Sequence, residues 1–259
     1  MIIGTGIELY LILALAALLA GLLDAVAGGG GLIQIPALFG VYPQATPATL
    51  FGTNKLASIC GTAVAARTFW KTVPLDFALL LPATVSALLF SFAGAWAMSI
   101  VPPDIFRKVL PLILALVAIH VFRHKEFGAQ VGEGISGRRK TVAALLLGAA
   151  MGFYDGFFGP GTGSFLVFLL VRFFGQDFLR ASASAKIINV ACNLAALVWL
   201  VPNSEPLLGI AVVMALSNMA GAWLGARLAI KEGATFVRKV FLLAVLALIA
   251  KTAWDAFLR

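Results

Sequence analysis

Four ionisable residues stand inside apolar sequence: Asp24 in "GLLDAVAGGGGLIQIP" (21–36), Lys55 in "LFGTNKLASICGT" (50–62), Asp155 in "GFYDGFFGPGTG" (152–163) and Lys186 in "ASASAKIINVACN" (181–193). A charged side chain at the centre of a membrane span costs about 2.5–3.5 kcal/mol on insertion scales, so each of these should face a cavity or a partner. Snorkelling to the headgroup region is the usual escape for a lysine. Lys55 and Lys186 are several residues from the nearest segment end, which makes that escape long. Two lysines and two aspartates are formally neutral together, and a structural Asp–Lys pair within each half of the chain is the simplest arrangement. Asp24 and Asp155, as intramembrane carboxyls, are also candidates for proton coupling. Thr53, Asn54 and Ser58 surround Lys55 with hydrogen-bonding groups, and Ser182, Ser184 and Asn189 do the same for Lys186.

Each aspartate precedes a glycine-rich break: Gly28, Gly29, Gly30 and Gly31 after Asp24, and Gly159, Pro160 and Gly161 after Asp155. Irregular backbone is excluded from lipid, where an unsatisfied N–H or C=O costs several kcal/mol, so both turns must face protein or water. The helix that restarts after such a turn carries partial positive charge at its N-terminus and can hold an anion. Thr162 adds a hydroxyl donor to the second turn. Small residues also serve close helix packing in membranes, and that is the better reading for scattered glycines such as Gly94 and Gly225. A nucleotide-phosphate loop is disfavoured, because the G-x-G-x-x-G and G-K-[ST] contexts are absent.

The elements that must position these groups are apolar spans. Hydrophobic residues make up 61% of the 259 and charged residues 12%, and the mean hydropathy is +1.02, far from the balance of a soluble domain. Apolar stretches run near 7–27, 32–42, 48–66, 75–99 and 105–122, and after a basic loop near 141–158, 162–174, 180–201, 206–229 and 236–257. The second stretch of each set is too short to cross a hydrocarbon core of about 30 Å at about 1.5 Å per residue. The net charge of +8 has its clearest cluster in "FRHKEFGAQVGEGISGRRK" (122–140), so positive-inside bias explains it better than nucleic acid does. Cys60 and Cys192 lie in apolar sequence without metal-ligand spacing and read as packing residues.

Asp24 and Asp155, Lys55 and Lys186, and Arg107 and Arg238 are each 131 positions apart (155−24, 186−55, 238−107), which marks an internal duplication. Lys108 and Lys239 follow the arginines, and all four read as membrane-border residues. Placing the basic loop inside also places "RTFWKT" (67–72) and "IKEGATFVRK" (230–239) inside, while "VPNSEP" (201–206) falls outside. The two copies are then upside down relative to one another. "KTAWDAFLR" (251–259) runs against this scheme, since it places Lys251 and Arg259 outside. The expected fold is an all-α multi-pass membrane protein of two inverted-topology repeats, 1–122 and 141–259 joined by a loop at 123–140. Each repeat has about four spanning helices and a short half-helix after its Gly-rich break.

"DAVAGGGGLIQIPAL", "GTNKLAS" and "YDGFFGPGTGSF" together resemble the sulfite exporter TauE/SafE family, the TSUP permeases, and the resemblance covers nearly the whole chain. By resemblance, Gly28, Gly29, Gly30, Gly31 and Pro36 take the first family motif, and Gly159, Pro160 and Gly161 the matching one. The resemblance implies a permease of the cell membrane moving sulfite, sulfoacetate or another organosulfonate. The halves depart from each other at Asn54 and Ala185, and at Pro36 and Val167, so two identical sites are not expected.

The reading is a secondary transporter of small anions working by alternating access. Its substrate-binding residues are Gly28, Gly29, Gly30, Gly31, Thr53, Asn54, Lys55, Gly159, Gly161, Thr162, Ser184, Lys186 and Asn189, with Asp24 and Asp155 available to a proton. A carrier of a cation or of a proton-coupled substrate, using the aspartates, is the alternative. An enzyme is not expected: His120 and His124 are the only histidines, and neither H-E-x-x-H nor G-x-S-x-G occurs. No cofactor, metal or nucleic acid is called for, the lipid bilayer is the one macroscopic partner, and the oligomeric state stays open.

Overall fold

A computed structural model describes residues 6–102 and 134–257, with side chains up to Gly233 and, beyond it, for Phe236 and Lys239. The stretch 105–122, most of the basic loop, Arg107, Lys108, His120 and His124, and the side chains of Arg238 and of "KTAWDAFLR" lie outside the described residues. Eight helices and no strand occur among the described residues: α1 (Gly6–Ala27), α2 (Gly31–Val41), α3 (Pro47–Trp70), α4 (Phe77–Ile100), α5 (Gly137–Phe157), α6 (Thr162–Phe174), α7 (Phe178–Asn203) and α8 (Leu208–Phe257). α8 is interrupted at Gly233, whose φ of 76° no other residue type adopts readily.

The helices begin where local chemistry allows. Thr46 caps α3 by accepting from the Thr49 N–H at 3.2 Å, with Pro47 in the first turn, where its missing N–H is no loss. Asp177 caps α7, accepting from the N–H groups of Leu179 and Arg180. Two boundaries differ from the sequence reading. α3 continues past 66 to Trp70, carrying Arg67 on its last turn. α5 begins at Gly137, so that Lys140 of the basic loop is helical and pairs with Asp76.

α1, α4, α7 and the Leu208–Gly233 part of α8 are each long and apolar enough to cross a bilayer, which makes this a multi-pass membrane protein. α2 and α6, at 11 and 13 residues, span only about 17–20 Å. The burial pattern is that of lipid solvation. On α4, Leu81, Val85, Leu89, Phe92 and Trp96 are exposed, while Ala83, Ala87, Ser91, Gly94 and Ala95 face other helices. Lipid tails are as apolar as leucine, so helices associate through small residues that admit close backbone contact.

α1 packs along α8 and α4 along α5, so the first helix of each sequence copy lies against the fourth helix of the other. α3 and α7 fill the middle, each against the other and against one of those pairs. Gly148, Gly152 and Gly156 form a smooth stripe on α5. A Cβ on them would fall 2.2, 2.4 and 2.0 Å from the carbonyl oxygens of Ala83, Ala87 and Ser91. Gly225 and Gly94 are equally tight, against Leu22 and Phe153, in keeping with a packing role. Cys192 is buried in the core and Cys60 half-buried, neither in a disulfide.

Gly152→Ala should destabilise the purified protein by about 1–3 kcal/mol, the usual cost of overpacking a tight contact. Gly40→Ala, where a Cβ meets nothing within 4 Å, should not. Thermal unfolding of both variants in one detergent is the check, and equal midpoints would mean that the α4–α5 seam yields.

Candidate functional site

The two glycine breaks are brought into contact. Gly28 ends α1 at φ 79°, its N–H donating to the Asp24 carbonyl, and α2 restarts at Gly31. A Cβ on Gly28 would fall 2.2 Å from the backbone of Gly163, so only glycine fits there. The N–H of Ser164 donates to the Gly28 carbonyl at 2.9 Å, and its hydroxyl to the Ala27 carbonyl at 2.9 Å. The C-terminus of α1 thus meets the first turn of α6, and part of the donor set that the sequence offered to an anion is used within the protein. Thr162 is occupied in the same way: its hydroxyl donates to the Gly159 carbonyl at 2.7 Å. The first break is held instead by Asp24, whose Oδ1 accepts from the Gly30 N–H at 3.2 Å.

The four charges pair across the halves, not within them. Lys55 of α3 is bonded to Asp155 of α5, with both side chains 3% exposed. Lys186 of α7 donates to Asp24 Oδ2 of α1 at 2.8 Å. This overturns the expected pair in each half. The 131-residue equivalence makes either aspartate an equal candidate for either lysine, and the packing of α1 and α5 decides. Lys55 thereby reaches the glycine break of the other copy. A Cβ on Gly159 would sit 3.5 Å from Lys55 Nζ.

Between these pairs lies a cavity of about 30 Å³. It holds about two waters, fewer atoms than a sulfite ion. Of the predicted residues, Asp24, Gly28, Gly30, Gly31, Asn54, Lys55, Asp155, Gly159, Gly161 and Asn189 line it. Gly29, Thr53, Thr162, Ser184 and Lys186 do not. Thr53 is used structurally, its hydroxyl donating to the Thr49 carbonyl and accepting from the Leu207 N–H. Lys186 stands behind Asp24, and the Ser184 hydroxyl is buried without a partner.

Sequence reasoning missed Thr62, Asn193 and Asn218, which also line the cavity. Thr62 was legible, since Lys55, Ser58 and Thr62 follow helical spacing on one face of α3. Asn193 is one turn after Asn189 and donates to its Oδ1 at 3.1 Å. Asn218 donates to the Ala17 carbonyl at 3.1 Å. Asn54 Oδ1 and Gln34 Nε2 are buried with no partner, while Ser58 donates to the other end of the Gln34 amide. Such groups are costly to leave unmade, and of the two only Asn54 lines the cavity. Among the described residues no three His, Cys, Asp or Glu side chains gather to hold a metal.

A family model described as Sulfite exporter TauE/SafE matches residues 13–252. The chain is 32% identical over 254 residues to a "Probable membrane transporter protein" of Haemophilus influenzae, covering 96% of both chains. It is 31% identical over 251 residues to the "Probable membrane transporter protein YfcA" of Escherichia coli K12, covering 95% of this chain and 90% of that one. It is 31% identical over 254 residues to the "Probable membrane transporter protein ORF9" of a Sinorhizobium species, covering 96% of this chain and 94% of that one. No solved structure matches the chain significantly.

Removing one member of a buried ion pair leaves an uncompensated charge, at a cost of about 3–5 kcal/mol. Lys55→Met should lose roughly that stability. Adding Asp155→Asn should restore most of it, and adding Asp24→Asn should restore none. Denaturation of the three variants decides between cross-half and within-half pairing.

Proposed function

Because the chain belongs to the sulfite exporter TauE/SafE family, we propose that it is a secondary transporter of the cell membrane carrying small oxyanions, sulfite, sulfoacetate or another organosulfonate among them. The observation that carries this reading is the pair of crossed Lys–Asp bridges around a polar cavity at the junction of two helix breaks. Discontinuous helices meeting near the bilayer centre at a repeat interface are the general plan of such carriers. The exchange of packing partners between the copies supports two inverted-topology repeats, 1–122 and 141–259, that open the cavity alternately to either side.

Charge balance defines the mechanism. With both pairs made, the site is neutral and has no electrostatic preference for an anion. Protonation of Asp155 or Asp24 leaves its lysine unbalanced, and an oxyanion can then replace the carboxylate as that lysine's partner, so proton and anion enter together. Asn54, Asn189 and Asn193 supply amide groups beside that position. A cation carrier is the second reading. It is favoured by one observation, that both aspartates line the cavity but only one of the two lysines does.

Liposomes holding the purified protein should take up labelled sulfite or sulfoacetate saturably, with a simple carboxylate as comparison. Lys55→Ala and Lys186→Ala should abolish the flux, and Asp155→Asn should flatten its dependence on pH. Uptake of a metal cation, competed by other cations and untouched by sulfonates, would give the site to the aspartates and sink the anion reading.

A further inference from the structure

A second space carries four cations in its lining. It is a cavity of about 600 Å³ between the end of α3 and the part of α8 that precedes Gly233. Arg67 enters it from the last turn of α3 and Lys71 from the residue that caps that helix, and Arg227 and Lys231 enter from α8. The Arg227 Cζ lies 3.9 Å from the centroid of the Trp223 ring, a cation–π contact between two residues of the cavity wall. Among the described residues the one carboxylate within reach of these four cations is Glu232, 4.0 Å from Lys231 with both side chains well exposed, a contact worth little.

Positive-inside bias accounts for cations at a membrane border and says nothing of where their side chains converge. Here two segments 160 residues apart (227−67) bring four like charges, all solvent-exposed, to one concavity. Two arginines and two lysines suit an oxyanion bearing more than one acceptor oxygen, since a guanidinium offers paired donors.

The position relates this basin to the central cavity. α3 gives Ser58 and Thr62 to the inner space and Arg67, with its cap residue Lys71, to the outer one, while α8 gives Asn218 to the inner and Trp223 and Arg227 to the outer. Twelve residues of α3 separate Lys55 from Arg67, about 18 Å along the helix. Between them Asn218, which lines the inner cavity, presses on Gly61, where a Cβ would fall 1.8 Å from its Oδ1.

We propose that the Arg67–Lys71–Arg227–Lys231 basin is a docking site for a free oxyanion at the α3–α8 mouth, from which the ion passes Asn218 to reach Lys55. The proposal rests on the anion reading above for its place in a pathway. Binding at the basin is measurable without transport. The shared chemistry, an oxyanion against guanidinium and ammonium groups, also belongs to a lipid phosphate, and the test separates the two.

Full-length protein in phosphatidylcholine nanodiscs is titrated with sodium sulfite at constant ionic strength, and tryptophan emission is followed. A saturable change is expected that disappears in Trp223→Phe. The midpoint should shift to higher sulfite by about tenfold for each arginine removed in Arg67→Gln and Arg227→Gln. The paired variant Lys55→Met/Asp155→Asn, which keeps the centre neutral, should leave the midpoint unchanged. Absence of any change with sulfite overturns the proposal. So does a change abolished by the central pair of substitutions, or one produced by adding phosphatidylglycerol to the disc and not by sulfite. Sulfite binding at the basin without liposome flux would fault the transport reading alone, and flux without basin binding would fault only the basin.

Discussion

The structure depends on one constraint: inside a bilayer every charge and every broken backbone segment needs a partner from the protein itself. Lys55 and Lys186 meet it through Asp155 and Asp24, and each bridge joins residues more than 99 positions apart in sequence. The glycine breaks meet it through one another, with Ser164 donating to the end of α1 and Asp24 holding the turn at Gly30. The same residues that would destabilise an isolated span therefore hold the two halves together. Around them the helices pack by small residues, because lipid supplies no hydrophobic drive to bring larger ones inward.

Much of this is legible in the sequence. The short stretches at 32–42 and 162–174 fall almost on α2 and α6, and a glycine run beside an aspartate marks each break. The partner of each charge is not legible, because a duplicated pattern carries no information on whether equivalent groups meet within a copy or between copies. The extent of α3 is missed for another reason. Arg67 reads as a loop residue, yet its long apolar stem lets it stay on the last turn with its charge at the border. Asn193 and Asn218 escape because a buried amide leaves no mark as plain as a buried charge, although it needs satisfying for the same reason.

The two copies are not equal in detail. Asp24 holds its own turn through Gly30, whereas the second turn is held by the Tyr154 hydroxyl, which donates to the Pro160 carbonyl at 2.6 Å. Pro160 stands where the first copy has Gly29 and has no N–H to offer. Asn54 borders the cavity, but its counterpart is Ala185, so the amide groups there are distributed unevenly. One shared site with two chemically distinct walls is the result, in place of two equivalent sites.

The crossing of the bridges has a kinetic consequence for a carrier of this kind. Both bridges join the two halves, so a rocking motion of one half against the other would work against them. In the proposed mechanism, a bound anion and its proton would take over the bonds that otherwise have to break, and the loaded form would move more readily than the empty one. Slippage, the return of the carrier without cargo, would then be suppressed by the same two contacts that neutralise the core. Tight coupling would follow from where four side chains lie, without a separate gate.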